Sequence, residues 1–194
     1  MQLYHGDHGA RPSPRAVRMS LIEKQLVIPM RDMDNDGSWI AETGAIFQYL
    51  EETHPEPAFI GSNVEERAET RLWQRRIERR ITEPLYAAFH YDKGFEMYKT
   101  RMLVLPECVP GPVALMEDGM RWLNALLSEH STIVPRRLTI ADIVLFAAID
   151  FGAGVGWPLP IDLPHLARWF QGIADRPSAE FSLHPRSLQT GIHY

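Results

Sequence analysis

The segment LTIADIVLFAAIDFGAGVGW, at residues 138–157, restricts the possible folds most, because it is apolar on nearly all sides. A helix of this kind is stable only when other elements cover its whole surface. Thr139 stands three residues before Asp142, which is the spacing of a capping box. The threonine hydroxyl can accept the amide of Asp142, and the carboxylate can accept the amide of Thr139. We therefore predict a buried central helix in which this pair is a structural N-cap without a catalytic role.

The other segments of the second half are predicted to form amphipathic helices around this one. Residues 64–92 and 111–130 carry apolar residues at helical spacing, and residues 162–177 form a last surface helix that stops at Pro177. Pro84 lies inside the first of these helices and is expected to bend it. No strand pattern interrupts this half, so we predict an all-helical domain over residues 63–194.

The first 56 residues have a different pattern, in which short strand-like runs alternate with helical ones. MQLY, LVIPM and SWIAE are strand-like, whereas residues 14–26 and 43–54 have helical periodicity. Ser13 is expected as the N-cap of the first helix, with Pro14 at its first position. The order β-α-β-β-α predicts an α/β unit over residues 1–56, joined to the helical domain by the loop HPEPAFIGSN.

Composition argues against several classes of function. The net charge of −5 gives no electrostatic case for nucleic-acid binding, and no apolar run approaches the roughly 18–20 residues of a membrane span. The N-terminus lacks the apolar core of a secretory signal, and the only cysteine, Cys108, cannot form an internal disulfide. His5 and His8 have no third metal ligand at a recognisable spacing. We expect a cytoplasmic protein with no metal, nucleic-acid partner or membrane partner.

Four stretches, in this order, resemble the cytosolic glutathione transferases of bacterial type over essentially the whole chain. They are MQLY with RPSPRAVR, AETGAIFQYLEETHPEP, LTIADIVLF, and LPHLARWFQGIADRPS. The resemblance implies a thioredoxin-like first domain followed by a helical bundle. It also implies glutathione as cosubstrate, a small hydrophobic second substrate, a homodimer and a role in detoxification.

The first domain departs from the family order, which is β-α-β-α-β-β-α. The second helix, the third strand and a Val-Pro peptide that holds the glutathione cysteine are absent here. Residues 35–38 would have to join two parallel strands on opposite sides of the sheet, a connection that needs a dozen or more residues. Either the remnants pair as a DNDG hairpin, or a few dozen residues are missing from this sequence between Asp34 and Asn35. The undamaged pattern downstream favours the second explanation.

The resemblance places activation of the glutathione thiol at the start of the first helix. Many family members have a serine or cysteine six residues before the valine of R-x-V-R, a position that Arg11 occupies here. Other members have an asparagine four residues before that valine, where this chain has Ser13. Ser13 can donate its hydroxyl to a thiolate or act only as an N-cap. Arg11 can stabilise a thiolate or a carboxylate by its charge, or point into solvent.

The resemblance also implies binding residues. Glu42 and Thr43 match the pair that holds the glutamyl end of glutathione, the carboxylate accepting from the ammonium and the hydroxyl and amide binding the carboxylate. Alternatively, Thr43 caps a helix and Glu42 is a solvated charge. The wall of the hydrophobic substrate pocket is assigned to Tyr86, Phe89, His90 and Trp157, although aromatic side chains at helical spacing more often belong to the core.

Two functions follow from this reading. The first is a glutathione transferase that conjugates or reductively cleaves a small hydrophobic electrophile. The second is a non-catalytic binding or scaffold protein of the same fold, which the absent serine at position 11 and the absent Val-Pro peptide favour. Catalysis is the preferred interpretation, and the identity of the electrophile is not encoded in any recognisable motif.

The junction of Asp34 and Asn35 gives a first prediction, on the mass of the protein. If a helix and a strand are missing there, the purified protein has an intact mass above 22.2 kDa by the mass of a few dozen residues. Mass spectrometry of the natural protein measures this directly. An intact mass of 22.2 kDa would mean that the first domain is shortened and would favour the binding protein.

Overall fold

The computed structural model describes residues 3–5, 12–27, 30–32 and 42–193 of the chain. In the first part, strand β1 (Leu3–His5) pairs in parallel with strand β2 (Met30–Asp32), and Leu3 is opposite Met30. Helix α1 (Pro12–Glu23) lies between these strands in the sequence, and helix α2 (Thr43–Thr53) follows them. The predicted strand SWIAE and the junction of Asp34 and Asn35 lie outside the described residues, except for Glu42.

Two predicted boundaries in this part were wrong. Of the strand predicted over LVIPM, Met30 lies in β2, Leu26 and Val27 lie outside it, and residues 28–29 are outside the described part of the chain. The reason is a turn after α1, where Gln25 adopts a left-handed backbone with φ 55°. Helix α1 begins at Pro12, so Ser13 lies in its first turn and is not the N-cap.

The second part is helical, apart from a single bridge between Val134 and Arg137. Its elements are α3 (Val64–Ile77), a π-helical turn (Glu78–Thr82), α4 (Glu83–Tyr91), α5 (Phe95–Tyr98), a 3₁₀ turn (Pro106–Cys108), α6 (Pro110–Leu126), α7 (Ile140–Gly154), α8 (Pro164–Ala174), α9 (Pro177–Phe181) and α10 (Ser187–Thr190). No helix in the described part of the chain is long and apolar enough to cross a membrane.

The long helix predicted over residues 64–92 changes geometry next to Pro84. Proline has no amide hydrogen to give to the carbonyl four residues earlier, and the chain takes a π-helical turn at this point. The carbonyl that loses its donor, that of Arg80, faces Gly119 of α6, where any side chain would collide with it. The proline therefore coincides with a close approach of two helices.

Helix α7 is the central helix, and α1, α3, the π-helical turn and α8 all contact it. Thr139 and Asp142 form a capping box at its start. The Asp142 carboxylate accepts from the amides of Ile133 and Thr139 and from Nε1 of Trp169, each at 2.9 Å. Burial raises the pKa of Asp142, and these hydrogen bonds oppose the rise. The pair thus connects α7 with a loop and with α8 as well as capping the helix.

A buried ion pair holds the segment that connects the two parts of the chain. Nζ of Lys24 lies 2.9 Å from Oε2 of Glu51, and both side chains are less than 5% exposed. The same ammonium donates to the carbonyls of His54 and Pro57, while Oε1 of Glu51 accepts from the amide of Ile60 at 2.7 Å. The connection after α2 is therefore fastened to the end of α1.

The ion pair between Lys24 and Glu51 leads to a prediction on the stability of a variant. Glu51→Gln keeps an oxygen for the Ile60 amide but leaves the Lys24 ammonium buried without a counter-charge. We expect the free energy of unfolding to fall by roughly 3–5 kcal/mol.

Urea denaturation measures the change, with Glu96→Gln as the control because Glu96 pairs with Lys99 on the surface. That exposed pair should contribute no more than about 1 kcal/mol. Equal effects of the two substitutions would contradict the structural role of Lys24 and Glu51.

Candidate functional site

The first turn of α1 places Ser13 beside the helical part of the chain. The Ser13 side chain lies near the hydroxyl of Tyr86 on α4, whose pKa it lowers by hydrogen bonding. Both residues are half-buried. The amino end of a helix carries a partial positive charge, which favours an anion such as a thiolate. Arg11, the other predicted catalytic residue, lies outside the described residues.

A buried arginine fixes this turn. Nη1 of Arg15 lies 2.5 Å from Oδ2 of Asp150 on α7, and Nη2 donates to the carbonyl of Ala179 at 3.2 Å. Its guanidinium also lies 5.1 Å from the ring centre of Phe146. Sequence reasoning missed Arg15, although a signal was available, since this arginine directly precedes the apolar pair Ala16 and Val17.

The other end of α1 is held by a second ion pair. The Glu23 carboxylate accepts two hydrogen bonds from Arg176, at 2.6 and 2.7 Å, and another from Ser178. Burial alone would raise the pKa of Glu23, but these bonds and the charge of Arg176 hold it below its usual value. The carboxylate is therefore charged at neutral pH, and α1 is fastened at both ends.

The Tyr86 hydroxyl is kept neutral by its surroundings. Burial raises the pKa of this phenol well above its usual value of 10.0, and the negative charge of Glu78 acts in the same direction. The hydrogen bond with Ser13 opposes the shift but does not cancel it. At neutral pH, the Tyr86 hydroxyl therefore carries its hydrogen and can donate it.

The start of α2 adjoins the same region. Glu42, the residue before the helix, has a left-handed backbone with φ 69°. This conformation is uncommon for residues other than glycine, and residues that adopt it cluster at functional sites. The Gln74 side chain lies against Gly44 and donates from Nε2 to Oε1 of Glu78 at 2.8 Å. The first turn of α2 thus adjoins Gln74, which is bonded to Glu78, and the negative charge of Glu78 acts on the Tyr86 phenol.

The predicted glutamyl-binding pair lies at the start of α2. The Glu42 side chain is exposed, and that of Thr43 is half-buried at the first position of α2. Among the described residues, neither side chain has a hydrogen-bond partner. The amino end of α2 adds a positive partial charge beside them.

The four residues assigned to a hydrophobic wall lie in two places. Tyr86, Phe89 and His90 are on α4 at the three- and four-residue spacings that share one helix face. Their ring contacts extend to Phe151, 4.9 Å from Phe89, and to the Tyr98 ring, 4.0 Å from His90. The half-buried Trp157 follows α7, and its amide donates to the Gly152 carbonyl at 2.8 Å.

The described residues contain no group of three or more histidine, cysteine, aspartate or glutamate side chains that could hold a metal ion. The groups that the described residues bring to this region are hydroxyl groups, one phenol, carboxylates and helix ends. Such groups can bind a zwitterionic peptide and stabilise an anion on sulfur.

The sequence of this chain is similar to those of several known proteins. Residues 114–177 match the model of the glutathione S-transferase C-terminal domain. The chain is 24% identical to glutathione S-transferase 2 of Saccharomyces cerevisiae, with 93% of this chain and 89% of that protein covered. That alignment runs over 214 positions, more than the 194 residues of this chain, so the yeast protein has residues that this chain lacks.

Of two further similar proteins, one is named for its localisation and the other for a domain that it contains. The chain is 27% identical to FtsZ-localized protein A of Caulobacter vibrioides, over 80% of this chain and 69% of that protein. A crystal structure of a glutathione S-transferase domain-containing protein from Marinobacter aquaeolei superposes with a TM-score of 0.83 at 25% identity, covering 92% of this chain and 100% of the other.

Proposed function

Because the chain belongs to the glutathione S-transferase family, we propose that it transfers glutathione to a small hydrophobic electrophile or cleaves such a compound reductively with glutathione. The single observation that carries this proposal is the position of Ser13 in the first turn of α1, a helix that the buried Arg15 fixes against α7. In a family whose members activate a thiol at this helix end, Ser13 supplies the donor that position 11 lacks.

Ser13 acts on the ionisation of the bound thiol. A free thiol has a pKa of about 8.5, so little of it is ionised at neutral pH. A hydrogen bond from Ser13 and the amino end of α1 both stabilise the thiolate and lower that pKa. In conjugation, the thiolate forms a bond to the electrophilic carbon, and the leaving group departs with its electron pair. Arg11 is a second candidate for stabilising the anion.

Glu42 and Thr43 hold the glutamyl end of glutathione. The free carboxylate of Glu42 accepts from the glutamyl ammonium, while the hydroxyl and amide of Thr43 donate to the glutamyl carboxylate. The strained backbone of Glu42 supports this assignment, because it directs an exposed charged side chain from a fixed position beside a helix end.

The second substrate is assigned to the helical domain. Tyr86, Phe89, His90 and Trp157 form its apolar wall, with Tyr86 next to the thiol site. We assign residues 1–56 to a thioredoxin-like glutathione-binding domain and residues 63–194 to the helical domain. The working form is proposed to be a homodimer in the cytoplasm, with a role in detoxification.

A second candidate function is a binding or scaffold protein without catalysis. Its supporting observation is the relative from Caulobacter vibrioides, which is named for its localisation with FtsZ and not for a reaction. The arginine at position 11 points the same way. Turnover of generic electrophiles by the pure protein distinguishes the two, since the binding protein gives none even where glutathione binds.

Ser13→Ala tests the thiol site. A hydrogen bond to a charged group is worth about 1.5–3 kcal/mol, so kcat/KM at neutral pH should fall about 10- to 100-fold. Steady-state turnover of 1-chloro-2,4-dinitrobenzene measures it. Ser128→Ala, at an exposed serine after α6, is the control and should match the wild type. Full activity of Ser13→Ala would remove Ser13 from the mechanism.

Glu42→Ala tests the glutamyl contact. Removing the carboxylate that pairs with the ammonium should weaken glutathione binding about tenfold or more, as measured by isothermal titration calorimetry. Glu52→Ala removes an exposed carboxylate from the same helix and should bind as the wild type does. An unchanged dissociation constant in Glu42→Ala would show that the glutamyl end binds elsewhere.

A further inference from the structure

The ion pair between Arg15 and Asp150 has a third partner, to which the proposed function gives no role. Nδ1 of His193 lies 3.0 Å from Oδ2 of Asp150, the same oxygen to which Nη1 of Arg15 donates. Arg15 belongs to α1 and Asp150 to α7, whereas His193 follows α10. One carboxylate oxygen thus joins three segments that lie far apart in the sequence.

Residues 191–193, which we call the strap, turn back toward α7 after the end of α10. Gly191 has a left-handed backbone with φ 69°, which glycine adopts without steric strain, and its amide donates to the carbonyl of Ser187 at 3.0 Å. The amide of Ile192 then donates to Oγ1 of Thr190 at 3.3 Å. These contacts end α10 and give the strap a defined direction.

A glycine of α7 allows the strap to come close. Gly154 is the last residue of this helix and lies four residues after Asp150, so the two share a helix face. A Cβ atom at Gly154 would lie only 3.1 Å from Cα and Cγ2 of Ile192. Ile192 is half-buried and packs against the hydrophobic core. The strap therefore makes an apolar contact and a polar contact along one face of α7.

The imidazole of the strap is the outer layer of the ion pair. The side chain of Arg15 is 2% exposed, that of Asp150 14% and that of His193 49%. Opposite charges attract more strongly when water is kept away from them. An ionised carboxylate can only accept hydrogen bonds, so Nδ1 carries the hydrogen in this contact. The ring thus donates to Asp150 while it limits the access of water to the pair.

We propose that His193 is a positioning residue, which holds the Asp150 carboxylate against Arg15 and so fixes the first turn of α1, where Ser13 lies. The inference rests on the proposed function, because that function places thiol activation at Ser13. It assigns His193 an action through Asp150 and Arg15, without contact with glutathione.

The first turn of a helix depends on contacts of this kind. Its amides have no acceptor within the helix, and helix ends fray. A hydrogen bond weakens steeply when its distance or angle changes, and a donor held in place in advance stabilises a developing charge best. The order of the first turn of α1 therefore decides how well Ser13 can serve a thiolate.

The test compares His193→Ala with His193→Asn, because asparagine carries an amide N–H at the same number of bonds from the backbone as Nδ1. The alanine variant should lower kcat/KM for glutathione about 3- to 10-fold with 1-chloro-2,4-dinitrobenzene, the factor expected for one hydrogen bond. KM for the electrophile should change less than about twofold. The asparagine variant should keep at least about half of the wild-type value. Gln189→Ala, at an exposed residue of α10, is the control and should match the wild type.

Hydrogen–deuterium exchange gives a second readout that needs no catalysis. Without glutathione, the backbone amides of α1 should exchange faster in His193→Ala than in the wild type, as measured by mass spectrometry. In His193→Asn they should exchange as in the wild type. The amides of α3 should be unchanged in both variants, which makes this helix the internal control.

A matched pair of glycine substitutions tests the strap without changing His193. Gly154→Leu places a side chain where Ile192 lies and should displace the strap, with the same losses as His193→Ala. Gly172→Leu makes the same change on α8, where no atom lies within 4 Å of the added Cβ, and should behave as the wild type. If the strap acts through Ser13, His193→Ala in a Ser13→Ala background should cause no further loss of activity.

Four results would overturn the inference. Unchanged exchange of α1 in His193→Ala would show that the strap does not order this helix. Equal losses in His193→Ala and His193→Asn would remove the hydrogen bond from the explanation. Unchanged kcat/KM in His193→Ala, with Ser13→Ala impaired, would leave the proposed function intact and restrict His193 to a structural contact. A wild-type protein that binds no glutathione would overturn the proposed function and, with it, the role of His193 in the reaction.

Discussion

The ion pair between Arg15 and Asp150 is the constraint on which the rest of the site depends. Burying a guanidinium costs free energy unless its N–H groups are hydrogen-bonded and its charge is paired. Arg15 meets both conditions at one register of α1 against α7. Sliding α1 by one residue would separate the charges and remove the ring of Phe146 from the guanidinium. Because Ser13 lies two residues before Arg15, the register that satisfies the arginine also places the serine beside Tyr86.

Helix α7 fixes the positions of the elements that pack against its two ends. Asp142 fixes its first turn to the loop at Ile133 and to Trp169 of α8. Asp150, eight residues later and roughly two helical turns away, binds Arg15. One apolar helix thus uses two acidic residues to set the positions of its neighbours. The position proposed for the Ser13 hydroxyl therefore follows from the packing of α1 against α7 and does not depend on a rigid loop.

The sequence predicted the elements with strong periodicity and missed the contacts between distant buried charges. The buried helix after Thr139, the helix α2 and the interruption near Pro84 all follow from local patterns. The short helices α5, α9 and α10 are too brief to show a period. Lys24 and Glu51, 27 positions apart, form a pair that only tertiary structure reveals. Tyr86 was assigned to the substrate wall, but its proximity to Ser13 could not be read from spacing.

The central claim, that the glutathione thiol is activated at Ser13, is tested most directly by a crystal structure of the full chain with glutathione. The account predicts the peptide along the starts of α1 and α2, with its sulfur within about 3.5 Å of Oγ of Ser13. A sulfur atom bound to Arg11 and out of reach of Ser13 would contradict it. So would a site between the two helix ends that stays empty at saturating glutathione.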